Sequence, residues 1–176
     1  MKITMIRKFA VAALTALLAF PVMAQEDALT DLPGYVDFGE LGDIFGEPTV
    51  QIAVGSSLLG LVGALSAKED PETADLFKRL NGVRVSVFEN TEVTDEGIAF
   101  VKDASSKLSS MGWESVVTVN SAEEQVRIFM KINEDMVEGI TVMVVEDTEA
   151  VFVNVIGDLN PAELEKVMDN FDVDID

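Results

Sequence analysis

Any chemistry in this 176-residue chain must come from carboxylates, hydroxyls, amides and a few cations, because the sequence contains no cysteine and no histidine. The commonest general base and the commonest metal ligand are thereby absent. A Ser-His-Asp triad, a Cys-His pair, a thiolate zinc site and a histidine-ligated metal are impossible within it. Acids dominate what remains: 32 Asp and Glu stand against 12 Lys and Arg, for a formal charge of −20. Adjacent acids at Glu123/Glu124 and Glu134/Asp135 could in principle run a glycoside hydrolysis, which needs a cleft and one carboxyl of raised pKa. Both pairs fall where hairpin tips are expected, and acids at such tips are solvated. The run Asp172-Val173-Asp174-Ile175-Asp176 looks like the opening of a calcium loop, but the loop's glycine and distal bidentate glutamate do not follow, so it reads as a solvated acidic tail. Gly55-Ser56-Ser57-Leu58-Leu59-Gly60 has the outline of a phosphate loop, but Leu61 occupies the position of the required lysine. It reads as a strand-to-helix turn. Arg84 and Arg127 are cations on expected strands and could receive an anion, although pairing with a neighbouring carboxylate is the plainer use. Trp113 and Phe129 could line a pocket or simply pack. No catalytic residue, metal ligand or cofactor is assigned from the sequence.

The elements that would position these residues are legible from periodicity. Thr49–Val54 is a β-type run. Beyond it, Leu58, Leu61, Val62 and Leu65 follow the i, i+3, i+4, i+7 spacing of a buried helix face. Asp70-Pro71-Glu72 starts a second helix, with Asp70 as N-cap and Pro71 in the first turn. Leu76, Phe77 and Leu80 would form its apolar side, and Asn81-Gly82 its stop. Gly82–Glu89 alternates as a strand, with Val83, Val85 and Val87 on one side and Arg84, Ser86 and Phe88 on the other. Thr94-Asp95-Glu96 opens a helix running to about Met111, striped by Ile98, Val101, Leu108 and Met111. Four β-rich runs follow with short polar separators, near 113–119, 125–132, 137–146 and 150–156, and short connectors imply an antiparallel meander. In the second run Val126, Ile128, Met130 and Ile132 are expected to face the core and Gln125, Arg127, Phe129 and Lys131 the solvent. Asn160-Pro161-Ala162-Glu163 resembles a capping box for a last helix striped by Leu164, Val167, Met168 and Phe171.

Residues 1–24 read as a secretory signal peptide. Lys2, Arg7 and Lys8 supply a basic beginning, and Phe9–Phe20 is apolar but shorter than the ~20 residues a membrane-spanning helix needs. Pro21 then breaks the helix, and Val22-Met23-Ala24 places small residues for cleavage between Ala24 and Gln25. The mature remainder keeps nine basic and all 32 acidic residues, a formal −23. Such a surface repels nucleic acid and anionic membrane faces. No later stretch is long and apolar enough to anchor the mature chain in a bilayer. Without a cysteine after the apolar segment there is also no lipidation site.

The strand runs Gly82-Val83-Arg84-Val85-Ser86-Val87-Phe88-Glu89, Trp113-Glu114-Ser115-Val116-Val117, Gln125-Val126-Arg127-Ile128-Phe129, Gly139–Val145 and Val151–Leu159 together resemble the bacterial domain-of-unknown-function family numbered 4252. The resemblance would cover most of the mature chain. It implies an exported envelope protein, in many members a lipoprotein, with no catalytic residues to carry over; this chain departs from the lipoprotein members in lacking the cysteine. The expected architecture is a signal peptide at 1–24, an irregular lead-in at 25–48 and one α+β domain at 49–176. That domain would be a two-layer, mostly antiparallel sheet ending in a four-stranded meander, with helices packed on one face. The expected function is a periplasmic or secreted, non-enzymatic binding or interaction module, whose contact surface is the strand face carrying Arg127, Phe129 and Lys131 and whose partner is an envelope protein. The alternative is a carrier for a small apolar ligand such as lipid, held between sheet and helices with the helix at 56–67 as a movable wall. A carboxylate-dependent hydrolase ranks third.

Overall fold

The computed structural model describes residues 28–39, 41–89, 95–121 and 124–161. The signal segment, Glu123, the expected last helix beyond Pro161 and the acidic tail lie outside the described residues. The chain runs through α1 (Leu41–Phe45), β1 (Val50–Gly55), α2 (Ser56–Ser66), α3 (Pro71–Arg79), β2 (Leu80–Glu89), α4 (Asp95–Ser110), β3 (Trp113–Asn120), β4 (Glu124–Asn133), β5 (Met136–Glu146) and β6 (Glu149–Leu159). Local chemistry sets several boundaries. Asp70 caps α3 by accepting a hydrogen bond from the Thr73 amide at 3.0 Å, and its carboxyl is held below the ordinary carboxylate range first by the Thr73 hydroxyl and then by this amide. Gly112 ends α4 with φ of +83°, a backbone region that disfavours side chains.

All six strands form one antiparallel sheet in the order β1-β2-β6-β5-β4-β3, so β3–β6 make the expected meander and β2 inserts beside β6. The protein is therefore α+β with a mostly antiparallel sheet. The register brings like residues into rows that run across the strands. One row reads Val50, Val87, Val151, Val144, Val126, Val119; the next Ile52, Val85, Val153, Val142, Ile128, Val117; the third Val54, Val83, Val155, Ile140, Met130, Glu114. Glu114 is the one non-aliphatic residue in these three rows. Beyond the all-valine row, Glu89, Glu149, Glu146 and Glu124 stand side by side on β2, β6, β5 and β4.

The helices divide between the two faces instead of sharing one. On the face of Phe88, Phe152, Met143 and Phe129, α4 packs through Val101 and Leu108, and residues 36–45 pack through Val36, Phe38, Leu41 and Phe45. On the aliphatic face, the α2–α3 pair brings Leu59, Leu76 and Phe77 onto the third row. The physical reason is that β5 and β6 carry mostly apolar residues on both sides, so helices on either face remove apolar surface from water. The described residues 36–45 are thus packed against the sheet.

Two helix faces differ from the periodicity. In α2 the buried residues are Leu59 and Gly63, while Leu61 and Leu65 are 54% and 74% exposed. Gly63 lets α3 approach so closely that a Cβ there would lie 2.8 Å from the Ala74 carbonyl oxygen. The helix therefore turns its smallest residue, rather than its leucine stripe, toward its neighbour. In α4, Val101 and Leu108 are buried as expected, but Ile98 is exposed, as is Met111 just past its end.

A candidate binding cleft beneath the lead-in strap

Residues 34–38 cross the phenylalanine face as an extended strap, and three features of the sheet hold it. Fully buried Asn154 accepts a hydrogen bond from the Val36 amide (3.0 Å) and donates from Nδ2 to the Gly34 carbonyl (3.0 Å), reaching also the Ile140 carbonyl at 3.3 Å. Arg84 donates to the Val36 carbonyl at 2.8 Å and lies over the Tyr35 ring at 4.6 Å. Gly34 crosses Gly139 of β5 in backbone contact: a Cβ on Gly34 would fall 1.9 Å from the Glu138 carbonyl oxygen. Only glycine permits that approach.

Between this strap, α1 and α4 an open cleft of about 430 Å³ remains. Its apolar walls are Val36, Phe38, Ile44, Phe100, Leu108 and Met111, and its charged residues are Asp37, Glu96, Asp103 and Lys107. The floor is rigid. Phe38 and Phe100 both stack against Phe152, with centroids at 5.4 and 5.7 Å, and Phe152 in turn contacts Phe45 and Phe88. Aromatic clusters of this kind hold their shape through edge-to-face and tilted contacts. The cleft lies within the size range of small-molecule sites, about 300–1,000 Å³. It is walled by the strap and α4, not by the helix at 56–66, which lies on the other face.

The three residues expected to form a contact surface do not do so together. Phe129 is 2% exposed and belongs to the core beneath α4. β4 alternates as expected, but both of its sides gain cover: Phe129 packs beneath α4, Met130 packs against the α2–α3 pair, and Val126 and Ile128 stay half-exposed. Arg127 shares the phenylalanine side and spends its guanidinium on neutral oxygens: the Val119 and Val126 carbonyls and the side-chain oxygens of Asn120 and Gln125. It fastens the β3–β4 hairpin. Lys131 sits four positions along, opposite Trp113 and Gly139. Trp113 is buried against Gly139 and does not reach the cleft, and its indole N–H has no hydrogen-bond partner among the described residues.

Among the described residues no group of three or more acids is placed to hold a metal ion. Among them, too, no helix is long and apolar enough to cross a membrane. Within the glutamate row, Glu146 has its carboxyl pushed above the ordinary range, first by burial and then by the charges of Glu124, Glu149 and Asp147. The row escaped the sequence reading because it exists only once four strands are in register. The cleft did too, since the apolar residues of 29–45 follow no period.

No curated protein matches the chain. Residues 46–167 match the family model described as Domain of unknown function (DUF4252), spanning β1 through β6 and the two helical insertions, and the chain belongs to that family.

Proposed function

We propose that the protein is an exported, non-enzymatic binding module of the periplasm or the exterior, and that it takes a small amphiphile into the cleft beneath the strap. Export is supported by the basic, apolar and small-residue order of residues 1–24, with cleavage between Ala24 and Gln25. Binding rather than catalysis is supported by the missing histidine and cysteine. The observation that carries the ligand reading is the cleft itself: an apolar trough on a fixed phenylalanine floor, with three carboxylates and one ammonium at its edges. That edge carries a net charge of −2 and favours a neutral or cationic head over a free fatty acid.

Two measurements test this. Mass spectrometry of the mature protein from the periplasmic fraction should give a chain beginning at Gln25; a retained residue 1 would refute export by cleavage. Native mass spectrometry of gently purified protein should show a bound amphiphile, and fluorescence titration with a neutral and a cationic alkyl probe should show one saturable site. An empty protein that takes up neither probe would overturn the ligand reading.

A further inference from the structure

The aliphatic sheet face offers a second surface, independent of the cleft. The α2–α3 pair covers its third row, through Val54, Val83, Val155, Ile140 and Met130. The first two rows, twelve Val and Ile side chains from six strands, lie outside that contact. Val144 and Val151 at the centre are buried by their neighbours, whereas the other ten remain partly or fully exposed, Val119 at 38%. Six strands spaced ~4.8 Å apart make each row ~24 Å long, and rows two residues apart are separated by ~6.8 Å. Two rows with their side chains therefore make a trough about as wide as an α-helix, 10–12 Å, and as long as ~16 helical residues. The α2–α3 pair bounds it on one side and the Glu89-Glu149-Glu146-Glu124 row on the other.

Charge selects the occupant. Like charges directly opposite on neighbouring strands destabilise a sheet, yet four glutamates line this edge. A second copy of the chain would bring another such row and a further large negative charge. The chain's own residues 162–176 carry six acids against Lys166, so they too are repelled from this edge. A segment with a Leu/Ile/Val stripe and a flank of Lys or Arg at i, i+3 and i+4 satisfies both the trough and its edge. We infer that the two rows outside the helix contacts of the described residues are a docking face for a basic amphipathic helix of a partner protein, laid across the strands with its cations on the glutamate row.

The test uses the mature protein, residues 25–176, and two labelled 16-residue peptides of identical leucine pattern, one with lysine and one with glutamate at the polar positions, in a fluorescence anisotropy titration. The lysine peptide should bind, with affinity falling as salt rises, and the glutamate peptide should not. Glu124→Lys with Glu149→Lys should weaken binding about ten-fold or more. The control Glu134→Lys with Asp135→Lys, with the same net charge but in the turn at the opposite end of β4 and β5 from the row, should stay within about two-fold of wild type. Ile128→Ser should weaken binding without moving the charge. Equal binding by both peptides, no binding by either, or equal losses in the two charge pairs would overturn the inference. So would a dimer that dissociates on Ile128→Ser, which would make a second copy the occupant, or a gain of ten-fold or more on removing residues 162–176, which would make the tail the occupant. A failure here leaves the cleft reading untouched, because none of these residues lines the cleft.

Discussion

Replacing Asn154 with alanine should loosen the strap and with it the cleft wall. Asn154 is fully buried, and its amide is the partner of two strap groups, the Val36 N–H and the Gly34 carbonyl, each at 3.0 Å. Alanine leaves both unpaired in the interior. A buried donor or acceptor left without a partner costs about 1–3 kcal/mol, and water entering the space vacated by the amide would offset part of that, so a loss of about 3 kcal/mol is expected. For a domain of this length each kcal/mol shifts Tm by about 2–4 °C, giving a fall of about 6–12 °C. Circular dichroism melts read the shift, and limited proteolysis should show cleavage within residues 28–45 quickening before the sheet is attacked. Thr141→Val is the internal control. It removes one donor to the Val153 carbonyl (2.9 Å) on a residue with no bond to the strap. A Tm change under about 2 °C for Asn154→Ala, or identical proteolysis of the two variants, would refute the claim that this side chain holds the strap to the sheet.

Other outcomes follow from the same packing. Gly34→Ala places its Cβ against the Glu138 carbonyl and should displace the strap, lowering amphiphile binding and Tm together; a variant with both unchanged would mean that the crossing is not close. Phe129→Ala should cost about 3–5 kcal/mol in denaturant melts, as a fully buried aromatic does, whereas a surface residue would cost almost nothing. The folded-state pKa of Glu146 is raised, so the native state holds more protons than the unfolded chain above the ordinary value of 4.5, and stability falls as pH rises from there through the folded pKa. Glu146→Gln should therefore raise Tm at pH 7 and leave it nearly unchanged near pH 4; a lower Tm at pH 7 would show the carboxylate to be stabilising.

What could be read from the sequence was whatever repeats along one element. Val83, Val85 and Val87 alternate against Arg84, Ser86 and Phe88 as the register shows, and Asp70-Pro71 starts its helix where the capping chemistry requires. Periodicity separates the two sides of a strand but does not say which side gains cover. Alternation alone therefore puts Phe129 in solvent, although it lies beneath α4. A leucine stripe similarly outranked Gly63 in α2, because the value of a glycine at a helix contact depends on what approaches it. Leu29, Val36, Phe38, Leu41 and Phe45 are core residues without a repeat, and the strap that carries Val36 is held by Asn154 and Arg84, more than 40 residues away in sequence. The valine rows and the glutamate row depend on pairings between four to six strands, and one-dimensional patterns do not contain those pairings.

The central claim is that the cleft beneath the strap binds a small amphiphile. The most direct measurement is a titration of the mature protein and its Ala99→Phe variant with the cationic alkyl probe. Ala99 is an exposed position on α4 that lines the cleft, so a phenyl ring there occupies the trough without entering the core. The parent should show one saturable site and Ala99→Phe at least a ten-fold loss of affinity, about 1.4 kcal/mol, with Tm unchanged. Equal affinity for the two proteins would contradict that claim.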